Sequence, residues 1–185
     1  QWSVGVGLNA PFGLVSEYDS SWIGRFQAIK SEIKTYNLNP AVSWKVTDNF
    51  ALGLGANWQR IEGTFTSQVN YSGALLSAAA QNGIAPGSPT FNAIAAATPG
   101  LESGASVEGS DYAWGWNLGL LVDIDKGNRI GAQYRSGLKY KLTGDVTFSN
   151  PALPALPPTL EPVVGALAAG INSQLLYNSG ITSEI

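Results

Sequence analysis

Arg135, Lys139 and Lys141 stand at odd-numbered positions of one run, so in an extended strand all three project from the same face. A cation on an enclosed face can hold a carboxylate through a charge-assisted hydrogen bond. That carboxylate could belong to a substrate or, more simply, to an Asp or Glu of another strand. Amides recur in the same phase. Asn57 and Gln59, Asn117, and Gln133 share this spacing and, with Arg135 and Lys139, form a candidate polar lining. Arg60, close to Trp58, reads as an interface residue rather than a ligand. Covalent chemistry has little to work with. The chain has no His, no Cys and no Met, so a hydroxyl has no imidazole base and no thiolate is available. No catalytic residue, metal site or cofactor is expected. Gly5-Val6-Gly7 and Gly53-Leu54-Gly55 lack the third glycine and following helix of a phosphate loop, and read as small residues of strands.

The elements that would position these groups are strands. Trp2, Val4, Val6 and Leu8 oppose Ser3, Gly5, Gly7 and Asn9, and Tyr36 to Val46 and Phe50 to Gln59 alternate in the same way. Tyr112 to Ile124 sets Trp114, Trp116, Leu118 and Leu120 against Ala113, Gly115, Asn117 and Gly119. In the fifth run Ile130, Ala132, Tyr134, Ser136, Leu138, Tyr140 and Leu142 oppose Gly131, Gln133, Arg135, Gly137, Lys139 and Lys141. The pattern blurs from Arg60 to Thr66, and Pro40 removes a ladder donor, as at a strand start or bulge.

Alternation alone also fits a soluble sandwich, but three features favour a membrane barrel. Aromatics (Trp2, Trp44, Phe50, Trp58, Trp114, Trp116) gather toward the ends of the apolar faces, where membrane interfaces would lie. The opposite faces mix Gly, Ser, Asn and Gln with few charges, which suits a lumen. Tight turns at 47–49 and 125–129 alternate with long connections at about 10–33, 66–108 and 149–185, as barrel turns and outer loops do. Composition agrees: 12% charged residues against about 25% in soluble proteins, 22 Gly, six Trp and seven Tyr, and no apolar stretch of ~20 residues. A net charge of −3 argues against a nucleic-acid partner. The expected fold is all-β, an antiparallel transmembrane β-barrel with short helices in its extracellular loops. The first run opens the chain without Met and the pattern is cut at Ile185, so residues 1–185 are expected to form one partial barrel domain. Five strands cannot close, since the smallest such barrels need about eight.

The long connections hold helical signals. Ser72 to Gln81 ends at Asn82-Gly83, Pro89 to Ala97 ends at Pro99-Gly100, and a third helix starts near Thr159 and ends at Asn178-Ser179-Gly180. In the third, Leu160, Val163, Val164, Leu167, Ala168, Ile171 and Leu175 share one face. Such helices could pack on each other as a lid. They could also leave an apolar groove whose candidate residues are Leu75, Leu76, Phe91, Ile94, Leu160, Val163, Val164, Leu167 and Ile171.

Several segments are more specific. Tyr112-Ala113-Trp114-Gly115-Trp116-Asn117-Leu118-Gly119, Asp125-Lys126-Gly127-Asn128-Arg129-Ile130-Gly131 and Tyr134-Arg135-Ser136-Gly137-Leu138-Lys139 resemble the FadL-type long-chain fatty acid transporter family. Asn9-Ala10-Pro11-Phe12-Gly13-Leu14, Asn37-Leu38-Asn39-Pro40-Ala41 and Leu52-Gly53-Leu54-Gly55-Ala56-Asn57 follow in that family's order and spacing. The resemblance implies about five strands of a barrel of about 14, without the family's N-terminal hatch and the C-terminal strands. It implies capture of substrate by a groove between two loops, here about 70–105 and 150–180, then a lumenal pocket, then lateral release at an inward kink. Asn9 to Glu17 is similar to the kinked region, with Pro11, Phe12, Gly13 and Leu14 at the opening and Gly13 suited to irregular backbone. The hatch motif Asn-Pro-Ala occurs here only inside a strand, as Asn39-Pro40-Ala41, and carries no such role. The family's basic carboxylate-holding residue would fall near Ser67, which is neutral. The expected function is therefore outer-membrane transport of long-chain fatty acids or similar hydrophobic compounds. The alternatives are import of aromatic or alkane hydrocarbons, or an adhesin or receptor barrel without conduction. Expected partners are a hydrophobic small molecule and outer-membrane lipid or detergent, with no nucleic acid and a monomeric barrel in the whole protein.

Overall fold

Each strand of this chain changes its chemistry part-way along, and the architecture follows from that change. The computed structural model describes residues 1–125, 127–177 and 180–184, with side chains through Gln174. Lys126, Asn178 and Ser179 and the Leu175 side chain, all named above, lie outside the described residues. The elements run β1 (Trp2–Asn9), β2 (Gly13–Glu17), β3 (Lys30–Lys45), β4 (Phe50–Asn70), α1 (Tyr71–Gln81), α2 (Pro89–Ala97), β5 (Glu102–Asp123), β6 (Arg129–Arg135), β7 (Lys141–Ser149), α3 (Glu161–Tyr177) and β8 (Gly180–Glu184). All strands join one antiparallel sheet, in which β1 and β2 both pair with β3, and β6 and β7 both pair with β5. The order across the wall is thus β1/β2, β3, β4, β5, β6/β7, β8. The sheet is open, and no described helix is long and apolar enough to cross a membrane.

Tight turns close one end. Val46 and Thr47 N–H donate to the Phe50 carbonyl at 2.9 and 3.1 Å. Asp125 Oδ1 accepts from the N–H groups of Gly127 and Asn128 at 2.8 and 3.0 Å, an Asx turn. The helices gather at the other end. Asn70 caps α1 by accepting from Gly73 N–H at 2.9 Å, and Gly83, at φ +86°, turns the chain out of it. Ser88 caps α2 and Pro89 fills its first turn.

Register defines two faces. One carries Val4, Val42, Leu54, Trp58, Trp114, Leu118 and Tyr134; the other carries Gly5, Asn37, Asn57, Gln59, Ala113 and Asn117. Exposure is inverted relative to a soluble protein. Val4 is 86% and Trp114 71% exposed, whereas Asn57 and Gln59 retain 1% and 3%. The crowded polar face is concave and the bare apolar face is convex, which suits lipid outside and a lumen within. Aromatic pairs band the convex face. Trp2 stacks on Trp44 at 5.4 Å near the tight turns, and Trp58 on Tyr112 at 5.4 Å farther up. From Phe50 to Trp58 the strand covers roughly 27 Å, or about 21 Å along the membrane normal at ~40° tilt, close to the apolar band of such barrels.

Above the upper aromatics the faces exchange character. The convex face becomes charged, with ion pairs Arg60–Glu62 at 2.8 Å and Lys34–Glu32 at 2.7 Å. The concave face becomes apolar, and Phe65, Val107 and Val146 stand in one row across β4, β5 and β7. The strands therefore run well past the expected limits: β4 reaches Asn70, β5 begins at Glu102 and β3 at Lys30. β2 and β8 fall in stretches expected to be loops.

Candidate functional site

Three features follow one another from the helices downward. The first is the helix cluster. Leu75, Ile94, Leu160, Val164 and Leu167 form its buried centre, with Leu76, Phe91, Val163 and Ile171 packed around them. All nine groove candidates therefore meet, but in two roles. Leu75, at 0% exposure, Ile94, Leu160 and Val164 are core and offer no surface. Val163, Leu167 and Ile171 line a cavity of about 540 Å³ between α3 and the end of α1, with Ala78, Ile84 and Gln81 opposite. Leu76 and Phe91 are not among its lining. The Tyr71 hydroxyl ties α1 to α3 by donating to Asn172 Oδ1 at 2.9 Å, and burial pushes this phenol's pKa up.

The second feature is the apolar row below the helices. Ser67, neutral, sits on the concave face opposite Ala105, one row above Phe65. Neither the row nor its depth was expected, because those residues fell in the blurred or loop segments.

The third feature is a break in the wall. β1 ends its ladder at Asn9↔Asn37 and β2 resumes it at Gly13↔Lys34, so Ala10, Pro11 and Phe12 face only Thr35 and Tyr36. One extra residue reverses the faces, as in a β-bulge, and Leu14 moves to the concave side beside Ile33. Thr35, 2% exposed, pins the break. Its hydroxyl accepts from Phe12 N–H at 2.8 Å and donates to the Phe12 carbonyl at 2.7 Å, which also takes Thr35 N–H at 3.1 Å. Pro11 and Phe12 lie in the break. Gly13 does not: it is the first paired residue of β2, with no positive φ. Thr35 was passed over as an ordinary strand residue, and the only sequence signal was Pro11 opposite it.

Beneath the break runs an amide ladder. Asn37 Nδ2 donates to Asn9 Oδ1 at 2.9 Å and Asn57 Oδ1 at 3.3 Å, and Asn39 Nδ2 donates to Asn57 Oδ1 at 3.0 Å and the Ala56 carbonyl at 2.7 Å. Asn57 and Gln59 share the concave face, as does half-buried Asn117, whose amide lies over Gly55. Gln133 and exposed Arg135 share that face through their register with Gly119 and Asn117. Gln133 also borders a hollow of about 560 Å³ with Ser43, Gly53 and Gly119. Lys139 is a correction. The alternation fails after Arg135, and Lys139 lies exposed in segment 136–140 between β6 and β7. Ser136 Oγ and Leu138 Cδ2 instead crowd the space where a Cβ on Gly115 would stand, at 2.8 and 2.7 Å, so they point to the concave face rather than to lipid. Leu142, expected on the lipid side, joins the concave face with Val146, and Lys141 takes the opposite one. Among the described residues no group of His, Cys, Asp and Glu could hold a metal ion.

An apolar convex band between aromatic rows, a polar concave face and helices at one rim define a wall segment of an outer-membrane β-barrel with a lined lumen. The sequence model of the outer membrane protein transport protein family (OMPP1/FadL/TodX) matches residues 1–172, and the chain belongs to that family. Its place is accordingly the bacterial outer membrane. The long-chain fatty acid transport protein of Escherichia coli O6:H1 is 28% identical over 179 residues, covering 96% of this chain and 39% of that protein. Outer membrane protein P1 of Haemophilus influenzae is 27% identical over 143 residues, covering 74% and 30%. A FadL homologue of Pseudomonas aeruginosa shares the fold, with a TM-score of 0.64 at 24% identity over 99% of this chain and 38% of that one. The chain thus spans about two fifths of the length of the E. coli relative.

Proposed function

We propose that this chain supplies the substrate path of an outer-membrane importer for long-chain fatty acids or similar hydrophobic compounds. The observation that carries the reading is a set of three features: a cavity between α1 and α3, an apolar row at Phe65, Val107 and Val146 on the concave face, and a break in the wall at Ala10 to Phe12. The cavity captures an apolar chain from water, the row carries it below the rim, and the break releases it sideways into the outer leaflet. The amide ladder closes the way beneath the break with groups that favour water over hydrocarbon. A family name that refers to transport and relatives named for long-chain fatty acid transport support the same reading.

Import of uncharged hydrocarbons is the second reading, favoured by neutral Ser67 in its apolar row. Uptake of labelled oleate and labelled toluene decides between them, in cells that lack their own transporter and express the whole protein carrying this chain. Faster oleate uptake supports fatty acid import, and faster toluene uptake alone supports hydrocarbon import. No uptake of either by a correctly inserted barrel refutes both.

A further inference from the structure

The geometry points to a second lateral opening in this wall, between β5 and the β6–β7 strand, through which the same hydrophobic substrate leaves. The inference rests on the lateral release proposed above. β6 pairs with β5 as far as Arg135↔Asn117, and β7 resumes at Thr143↔Ser110. Between them Ser136 to Leu142 face Asp111 to Trp116, again with one residue in excess. At the lower lip Ser136 N–H donates to the Trp116 carbonyl, and Trp116 N–H to Ser136 Oγ, both at 2.9 Å. At the upper lip Lys141 N–H donates to Asp111 Oδ2 at 2.6 Å. In the gap, Trp114 has no backbone partner in segment 136–140 among the described residues. Main chain left unpaired at membrane depth is tolerated only where it lines a protein or water-filled cavity. The gap is therefore a passage rather than a seam.

Three further observations fit passage. The gap lies level with the first break, because Thr35, Ile61 and Asp111 stand in one row across β3, β4 and β5. Both therefore open at the upper aromatic row, where the outer leaflet begins. Leu138 fills the gap against Gly115, the one residue type that leaves room for it, and neighbouring Gly137 meets nothing that a Cβ would touch. A short segment with Gly137 inside it and Gly115 facing it can retract and return. The Tyr140 hydroxyl, buried and without a partner among the described residues, can hydrogen-bond a polar head group in transit.

The test stitches each opening with a disulfide in the whole protein, using cysteine pairs that continue the neighbouring ladder. Ala10→Cys with Tyr36→Cys closes the first break, and Gly115→Cys with Leu138→Cys, whose side chains share one face, closes the second. Initial oleate uptake is read for each pair and for both, oxidised and then reduced. Barrel insertion is checked by heat-modifiable gel mobility, and a palmitate bearing a terminal diazirine maps contacts by crosslinking. With two openings, each oxidised pair causes partial loss, both together cause complete loss, reduction restores uptake, and crosslinks appear at 136–140 as well as 10–12. Complete loss from the first pair alone, with an unaffected second pair and no crosslinks at 136–140, overturns the second opening and leaves lateral release intact. Uptake unaffected by both pairs together overturns lateral release itself.

Discussion

Thr35 offers a sharp test of how the wall tolerates its first break. Replacing it by valine keeps the shape and removes the hydroxyl, and with it the acceptor for Phe12 N–H and one of two donors to the Phe12 carbonyl. The carbonyl keeps Thr35 N–H at 3.1 Å, so a single backbone donor is left unsatisfied. A buried donor without a partner costs about 1–3 kcal/mol. Taking ~2 kcal/mol, Thr35→Val lowers the folding equilibrium constant roughly 30-fold. Thr35→Ser retains both hydroxyl bonds and loses one methyl, about 0.8 kcal/mol. The assay is urea unfolding of the whole protein in detergent, followed by Trp fluorescence, with the two variants side by side. A valine variant as stable as the wild type, or a serine variant destabilised as much as valine, refutes the idea that the hydroxyl replaces the missing ladder.

Other substitutions separate the remaining parts. Asn57→Leu strips an acceptor from two amides that each keep another, and also removes the buried, unpartnered Asn57 Nδ2, so it costs less than about 1 kcal/mol in the same unfolding assay. A larger loss than Thr35→Val would show that the ladder holds the wall. Leu75→Ala opens a cavity in the helix cluster and costs that cluster about 2–5 kcal/mol. It should make residues 71–101 and 150–177 protease-sensitive while the barrel keeps its heat-modifiable mobility; a barrel that also loosens contradicts a separate cluster. Outside the membrane, Arg25 clasps Glu102 through both carboxylate oxygens at 2.8 and 2.5 Å, and this hydrogen bonding holds the Glu102 pKa below the ordinary glutamate range. A depressed folded value means that the tether of loop 18–29 is in place above the ordinary glutamate range and is lost as pH falls through the folded value. Amide exchange of residues 18–29, corrected for intrinsic rate, should rise at acid pH in the wild type and show no such step in Glu102→Gln.

How much was legible depended on whether the signal was local. The bounds of α2 follow from Ser88, Pro89 and Pro99-Gly100, which act within a turn, and α1 follows from Asn70 and Asn82-Gly83. The alternating runs up to Gln59 and Arg135 gave the faces correctly because one environment, lipid, acts along their whole length. Past the rim the environments exchange. Ile61, Phe65 and Val107 are apolar on the concave side, while Arg60, Glu62 and Glu108 are charged on the convex side. The period of two persists but its sign reverses, so Arg60 to Thr66 reads as a blur and 66–108 as loop. The breaks were hidden for another reason. An extra residue leaves no mark on composition, and Ser136, Leu138 and Tyr140 continue the apparent alternation while the chain has already shifted to the opposite face. Lys139 was misplaced by that shift. The groove candidates were found as an apolar set, but which of them are core and which line the cavity depends on how α1 and α3 cross.

The length of the strands explains why a transporter would carry that reversal. About 9–11 residues suffice to cross the hydrocarbon, whereas β4 has 21 and β5 has 22. The surplus raises the helix cluster well above the membrane and turns the upper wall into a chamber with its apolar side inward. A hydrocarbon chain moving from water into such surfaces gains up to about 0.8 kcal/mol for each CH₂ it buries. A single deep pocket would hold it at that depth. On the proposed path, partial burial in the cavity beside Val163, then along Phe65, Val107 and Val146, then at the break, would divide the same gain into steps, each shallow enough to leave. The bilayer, which buries the chain completely, is the lowest of them. On that proposed path the amide ladder beneath the break makes the straight way down the unfavourable one, so direction would come from the order of surfaces and would require no energy source in this wall.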